Sequence, residues 1–98
     1  MKTSLGKSGL TRDSGLSGWI DFKGSRYELN AWEVFEGDPT SPHMCRGWFQ
    51  CTVGGFRAAK GTALVLHLIG RDGSTRLLHV RIERAKATRP EWEFVAER

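Results

Sequence analysis

The stretch ALVLHLIGRDGSTRLLHVRIER, at residues 63–84, predicts a β-hairpin, because two segments of alternating apolar residues flank an Asp-Gly turn signal. An even number of loop residues would mix the leucines of the first segment with His79 and Arg81. An odd number instead gathers six apolar side chains on one face: Leu64, Leu66, Leu68, Leu78, Val80 and Ile82. We therefore predict an odd loop, which gives an opposite face of Val65, His67, Ile69, Leu77, His79 and Arg81.

Two segments nearer the N-terminus predict a second hairpin. Residues 18–22 (GWIDF) and 26–34 (RYELNAWEV) have strand-like composition and flank a turn at residues 23–25. Within the second segment Tyr27, Leu29 and Ala31 alternate with polar residues, so we expect these three to face the core. The loop at residues 36–43 contains two prolines, which are incompatible with continuous ladder pairing.

Residues 44–53 (MCRGWFQCTV) predict another strand, with Cys45, Phe49, Cys51 and Val53 facing the core. Its other face would carry Met44, Arg46, Trp48, Gln50 and Thr52. A short connector follows at residues 56–61, and residues 91–95 (EWEFV) predict a final strand. The pattern is typical of an all-β, mainly antiparallel fold, a small five- or six-stranded barrel or sandwich.

A chain of 98 residues fits one domain. Residues 1–17 are rich in Gly and Ser and hold no two adjacent apolar residues, which predicts a flexible arm before a single β domain at residues 18–98. The chain has no apolar run long enough for a membrane span, and its N-terminus lacks the apolar core of a secretory signal. We expect a cytoplasmic protein with no membrane partner.

The two cysteines, Cys45 and Cys51, are six positions apart. In a continuous strand they would be separated by roughly 20 Å, whereas a disulfide requires Cα atoms within about 7 Å. Unless Arg46 and Gly47 form a tight turn, we expect both thiols to be reduced, which agrees with a cytoplasmic location.

The net charge of +4 comes entirely from the second half of the chain. Eight basic residues lie within residues 57–89, against only Asp72 and Glu83. Such a segment is typical of a surface that meets an anionic partner. It is equally typical of a solvated face that keeps the protein soluble.

Residue types suited to metal binding and catalysis are present, but not at the spacings that metal sites and catalytic motifs require. The potential metal ligands His43, Cys45, Cys51, His67 and His79 do not form the closely spaced pairs of structural zinc sites. No G-x-S-x-G, H-E-x-x-H or Walker glycine motif occurs, and the carboxylates of Glu91 and Glu93 are typical of solvated residues. We expect a protein that is not an enzyme and holds no metal and no cofactor.

The candidate binding residues are a tryptophan and seven cationic or titratable side chains: Arg46, Trp48, Arg57, Lys60, His67, Arg76, His79 and Arg81. Trp and Arg are the favoured anchors of protein interfaces, which leads us to expect a binding module that contacts a protein. The alternative is a nucleic-acid or nucleotide-binding barrel that uses the basic face of residues 57–89. Exposed strand edges also make a homodimer plausible.

His67 and His79 fall on adjacent antiparallel strands with the same facing, so we expect them to lie side by side or diagonally. When protonated, such a pair would bind an anion or sense pH. The simpler interpretation is that each occupies a partly exposed position of an amphipathic strand.

Residues 50–86, from QCTVGGF through ALVLHLIG to RLLHVRIER, resemble the second half of a PilZ domain, a small β-barrel that binds cyclic di-guanylate. Gln50, Thr52 and Gly55 occupy the places of that family's D/N-x-S-x-x-G motif. The family's R-x-x-x-R ligand clamp has no match upstream of Gln50. The resemblance implies a member that does not depend on the ligand and acts through protein contacts, as a regulator or inhibitory adaptor.

Overall fold

The computed structural model describes residues 11–36, 40, 43–86 and 88–97, whose regular secondary structure consists of β-strands. The eight strands are β1 (Thr11–Gly15), β2 (Ser17–Phe22), β3 (Ser25–Glu28), β4 (Ala31–Glu36), β5 (His43–Gln50), β6 (Ala63–Ile69), β7 (Thr75–Ala85) and β8 (Glu91–Glu97). These ranges contain no helix, and thus no helix with the length and apolar character to cross a bilayer.

All eight strands belong to one antiparallel sheet with the order β1-β4-β5-β8-β7-β6-β2-β3, which curls into a half-barrel. The all-β, antiparallel prediction is confirmed. The predicted count of five or six strands is wrong, for two reasons. One strand lies in the segment predicted to be a flexible arm, and the long strand predicted at residues 26–34 is two separate strands.

The hairpin at residues 63–84 has the predicted odd loop. Ile69 pairs with Thr75 across a five-residue loop, and Leu66 lies opposite Leu78. All six apolar residues assigned to the inner face are buried. The sequence pattern was sufficient here because only one register buries every one of them.

The predicted boundary between arm and domain at residue 18 is wrong, because Thr11–Gly15 form strand β1. This strand pairs along its whole length with β4, from Thr11↔Glu36 to Gly15↔Trp32. After Leu16 the chain turns into β2, which pairs with β6 and β3 at the other end of the sheet. Backbone pairing with β4 orders a segment that has little apolar surface of its own. Residues 1–10 of the predicted arm lie outside the described residues.

The segment predicted as one strand at residues 26–34 is interrupted at Leu29 and Asn30, which form backbone hydrogen bonds to Gly18 and Gln50. The interruption changes which positions face inward. Leu29 is buried as predicted, but Tyr27 and Ala31 are only half-buried. In β4 the buried residues are Trp32 and Val34.

The predicted core positions Cys45 and Phe49 of β5 are buried, as is Cys51 just beyond the strand, and both cysteines are free thiols, as expected. Val53 is 52% exposed, so its predicted core position is wrong. The strand ends at Gln50, and the alternation of faces does not extend beyond it. Gly54 and Gly55 follow with positive φ angles of 79° and 68°, which turn the chain away.

The two ends of the half-barrel interior are closed by different chemistry. At one end, the buried rings of Phe49, Phe56 and Trp92 pack together, with Phe56 supplied by the connector between β5 and β6. At the other end, Arg76 of β7 forms an ion pair with Glu36 of β4, and its guanidinium also lies 3.9 Å from Asp13 of β1. The apolar core lies between these two closures.

Replacement of Gly15 by Ala tests whether the β1–β2 corner holds the fold together. A Cβ at Gly15 would lie 2.6 Å from the Ile69 carbonyl oxygen and 2.8 Å from the Trp32 ring, both of which are fixed. We expect Gly15→Ala to lower the free energy of unfolding by about 1–3 kcal/mol, as overpacking does. Urea denaturation followed by tryptophan fluorescence measures this.

The matched control is Gly70→Ala, because the nearest atoms to its Cβ are the side-chain ends of Ser74 and Asp72, at 3.0 and 3.1 Å, which can move. We expect this variant to lose less than about 1 kcal/mol. Equal stabilities for the two variants would contradict the role assigned to the corner.

Candidate functional site

Four of the predicted binding residues lie on the outer face of the sheet around β8: Arg46, Trp48, His79 and Arg81. Arg46 of β5 lies opposite Val95 of β8, and Arg81 of β7 lies opposite the same valine from the other side. Directly opposed residues of antiparallel strands share a face, so these three side chains form one row across the sheet. His79 is on the same face of β7, one alternation from Arg81.

Val95 is the apolar centre of this row. It is only 3% exposed, although it lies on the outer face and is not part of the internal core cluster. On one side a hollow of about 230 Å³ is lined by Val95, Phe35, Arg46 and Trp48. On the other, a hollow of about 310 Å³ is lined by Val95, Ala63, His79 and Arg81. We call Phe35, Arg46, Trp48, His79, Arg81 and Val95 together the Val95 surface.

The Trp48 ring is held in place by its polar end. Its indole nitrogen donates a hydrogen bond to a carboxylate oxygen of Glu33 at 2.9 Å, and Glu33 also pairs with Arg12 at 3.2 Å. Gly47 permits the close approach of β4 and β5 beside the ring, because a Cβ there would overlap the Glu33 carbonyl oxygen. With its polar group bonded, the half-buried indole presents apolar ring surface to the hollow.

The charges around the Val95 surface are of both signs. Arg46 is exposed and has no ion-pair partner in the part of the chain that the structure describes. Carboxylates stand close to it, because Glu83 and Glu93 line the same hollow. A phosphate backbone that crossed this face would meet these carboxylates, so the mixed charge is better matched to a protein surface.

The remaining predicted binding residues lie elsewhere. Arg57 and Lys60 are exposed in the connector between β5 and β6. Arg76 is engaged at the barrel end by Glu36 and Asp13. The predicted binding residues within 57–89 are thus divided among the connector, the barrel end and the outer face, and they do not form one face.

His67 and His79 lie diagonally on adjacent strands, as predicted, and His67 contacts neighbours of its own. The two histidines are diagonal, since His79 lies opposite Val65 and His67 lies opposite Leu77. An imidazole nitrogen of His67 is 2.6 Å from a carboxylate oxygen of Asp21. The ring of His67 also stacks on Trp19, with centroids 4.6 Å apart and planes 9° from parallel.

Trp19 is covered on both faces. One face stacks on His67. On the other face, toward β3, the guanidinium carbon of Arg26 lies 3.9 Å from the indole centroid. Stacking of a nucleobase on Trp19 would first require displacement of one of these two side chains. The stack therefore joins β3, β2 and β6 as a structural element of the outer face.

The two candidate thiol nucleophiles and ligands, Cys45 and Cys51, are both buried. Burial raises the pKa of the Cys45 thiol and of the Cys51 thiol, which lowers their thiolate fraction at neutral pH. The Cys51 thiol donates to the Glu28 carbonyl oxygen at 3.3 Å. Within the described ranges, no three His, Cys, Asp or Glu side chains cluster in a way that would hold a metal ion.

The residues that carry the PilZ resemblance have local structural roles. Asn30 accepts hydrogen bonds from both the backbone nitrogen and the hydroxyl of Thr52, at 2.8 and 2.9 Å. Gly55 has the positive φ of a turn, and Gln50 ends β5. No known protein family matches this chain, and neither a characterised protein nor a solved structure shows significant similarity to it.

Sequence reasoning did not name Phe35 or Val95. Val95 belongs to the predicted last strand, but its environment depends on which strands flank β8. Those strands are β5 and β7, and this long-range pairing cannot be inferred from local sequence. Phe35 lies opposite Arg46 across the β4–β5 ladder. Period-2 alternation along β5 identified Arg46 and Trp48 because it requires only the local chain.

The first prediction for this site concerns Trp48 and stability. Trp48 is half-buried on the outer face, so we expect Trp48→Ala to cost less than about 2 kcal/mol, mainly through the lost hydrogen bond to Glu33. Trp92 is 4% exposed and packs in the aromatic closure, so Trp92→Ala should cost about 3–5 kcal/mol. Urea denaturation of both variants compares the two, and equal losses would show that Trp48 is a core residue.

Proposed function

We propose that this protein is a non-enzymatic binding module whose Val95 surface docks a segment of another protein. The segment presents one large apolar side chain to the hollow between Phe35 and Trp48, with a carboxylate beside it that meets Arg46. The module acts as a small regulatory or inhibitory adaptor in the cytoplasm.

The observation that carries the proposal is the buried apolar floor on an outer face. Val95 is almost inaccessible, and around it stand an aromatic ring on each side of one hollow and an arginine at either end of the row. Interfaces that bind tightly have this anatomy, with an apolar centre, Trp and Arg anchors, and a polar rim.

The size of the hollow supports a protein side chain as its occupant. At about 230 Å³ it is smaller than the roughly 300–1,000 Å³ of sites that enclose small-molecule ligands. A single apolar side chain is of suitable size, and the rest of a bound segment would extend over the surrounding sheet. The second hollow, beside His79 and Arg81, continues the surface in that direction.

The charge of the surface supports a protein over a nucleic acid. Arg46, which has no ion-pair partner among the described residues, offers a cation for a partner carboxylate, while Glu83 and Glu93 would repel phosphates at the same place. The PilZ resemblance is consistent with this proposal, since the absence of the R-x-x-x-R clamp implies a member that acts through protein contacts.

A random peptide library displayed on phage, selected in parallel on the wild type and on Trp48→Ala, tests the proposal. We expect the wild type to enrich peptides with one conserved large apolar position next to an acidic one. Synthetic versions should bind at least about tenfold more weakly to Trp48→Ala and to Arg46→Glu, because each variant removes an anchor. Fluorescence anisotropy gives the dissociation constants.

Leu77→Ala is the matched control, because Leu77 is 52% exposed on the same side of the sheet but lines neither hollow beside Val95. Its affinity for the peptides should equal that of the wild type. Peptides that bind all four proteins equally would contradict the proposal. So would salt-sensitive binding of a single-stranded oligonucleotide that depends on Arg46, because that result assigns the surface to nucleic acid.

A further inference from the structure

A second concave site lies at the aromatic end of the half-barrel, and none of its lining residues belongs to the Val95 surface. It is a cleft of about 590 Å³ between the connector that follows β5 and the turn between β7 and β8. Its lining includes Arg57, Ala58, Lys86, Thr88, Arg89 and Trp92. This volume falls within the range of about 300–1,000 Å³ that is typical of small-molecule sites.

The walls of the cleft are fixed by backbone and indole hydrogen bonds. The connector is attached to β8 by the Trp92 indole nitrogen, which donates to the Ala58 carbonyl oxygen at 3.1 Å. It is attached to β7 by the backbone nitrogen of Gly61, which donates to Ile82 at 2.7 Å. The opposite wall is held by the Cys51 nitrogen, which donates to the Pro90 carbonyl oxygen at 3.0 Å. The site is therefore formed before any ligand arrives, which lowers the entropic cost of binding.

Among the described residues, the charged side chains that line the cleft are Arg57, Lys86 and Arg89, with no carboxylate beside them in the lining. Arg57 and Arg89, from opposite walls, are exposed and have no ion-pair partner among the residues described by the structure. Lys86 forms ion pairs with two carboxylates, since its ammonium lies 3.7 Å from Glu91 and 3.6 Å from Glu93. The two arginines thus carry the uncompensated positive charge of the site.

We propose that this cleft binds a small organic phosphate, of about the size of a mononucleotide. Guanidinium groups from two walls match the oxygens of one phosphate, which a planar fork of donors binds bidentately. The Thr88 hydroxyl adds a donor on the rim, and the alanines and the Trp92 ring provide an apolar wall for the organic part. Arg57 and Arg89 line one cleft from the two segments that border it, and neither has an ion-pair partner among the described residues; this juxtaposition is what the assignment rests on.

Titration of the isotopically labelled protein with AMP, followed by NMR chemical shifts, tests the assignment. We expect saturable shifts at Arg57, Ala58, Thr88 and Arg89. Adenosine, which lacks the phosphate, should bind at least about tenfold more weakly, and inorganic phosphate should compete with AMP. Arg57→Gln and Arg89→Gln should each weaken AMP binding about tenfold while their spectra remain those of the folded protein.

Arg71→Gln is the control, because it removes the same charge from an exposed position in the loop between β6 and β7 and should bind AMP as the wild type does. Trp48→Ala should also bind AMP normally, so this proposal and the docking of a protein segment fail independently. Equal binding of adenosine and AMP, or no effect of either arginine substitution, would overturn the assignment. Much tighter, salt-sensitive binding of a (dT)12 oligonucleotide through the same residues would also overturn it, in favour of nucleic acid.

Discussion

The close approach of three backbone segments at Gly15 is the constraint on which the rest of the fold depends. Here the chain leaves its pairing with β4 and, after the single intervening residue Leu16, begins to pair with β6. The buried Trp32 side chain lies on one side, where its indole nitrogen donates to the Ser17 carbonyl oxygen at 2.8 Å, and the Ile69 carbonyl lies on the other. Strands from both ends of the sheet thereby meet at one corner.

Closure of the half-barrel also decides which charged residues are available for binding. At one end, Arg76 pairs with Glu36 and Asp13. His67 pairs with Asp21 and stacks on Trp19. Other charged residues contribute to two separate surfaces, the Val95 surface and the cleft. The first has an apolar centre and charges of both signs, and the second is concave and basic. The two surfaces therefore differ in chemistry, and their separation follows from how the basic residues are distributed among ion pairs.

Local patterns were reliable wherever burial alone selects the register. The hairpin of β6 and β7 is the clearest case, because any other pairing would expose three leucines or bury Arg81. The inward positions Cys45 and Phe49 and the outward positions Arg46 and Trp48 followed from the same alternation.

The patterns were unreliable where pairing overrides composition. β1 is built from TRDSG, which has no apolar residue, and it is ordered by the backbone of β4. Asn30 interrupts a run of strand-forming residues because its backbone and side chain bond to Gln50 and Thr52.

The sequence by itself determined the all-β class, the central hairpin with its odd loop, the two free thiols and the outward position of the Arg46–Trp48 pair, because period-2 alternation and turn chemistry act over a few residues. Only the tertiary structure decided that Val95 lies between Arg46 and Arg81, and that Arg57 and Arg89 face one cleft. Each of these placements joins residues from strands or loops far apart in the chain, and the order β5-β8-β7 that brings them together is set by long-range hydrogen bonding that no local pattern encodes.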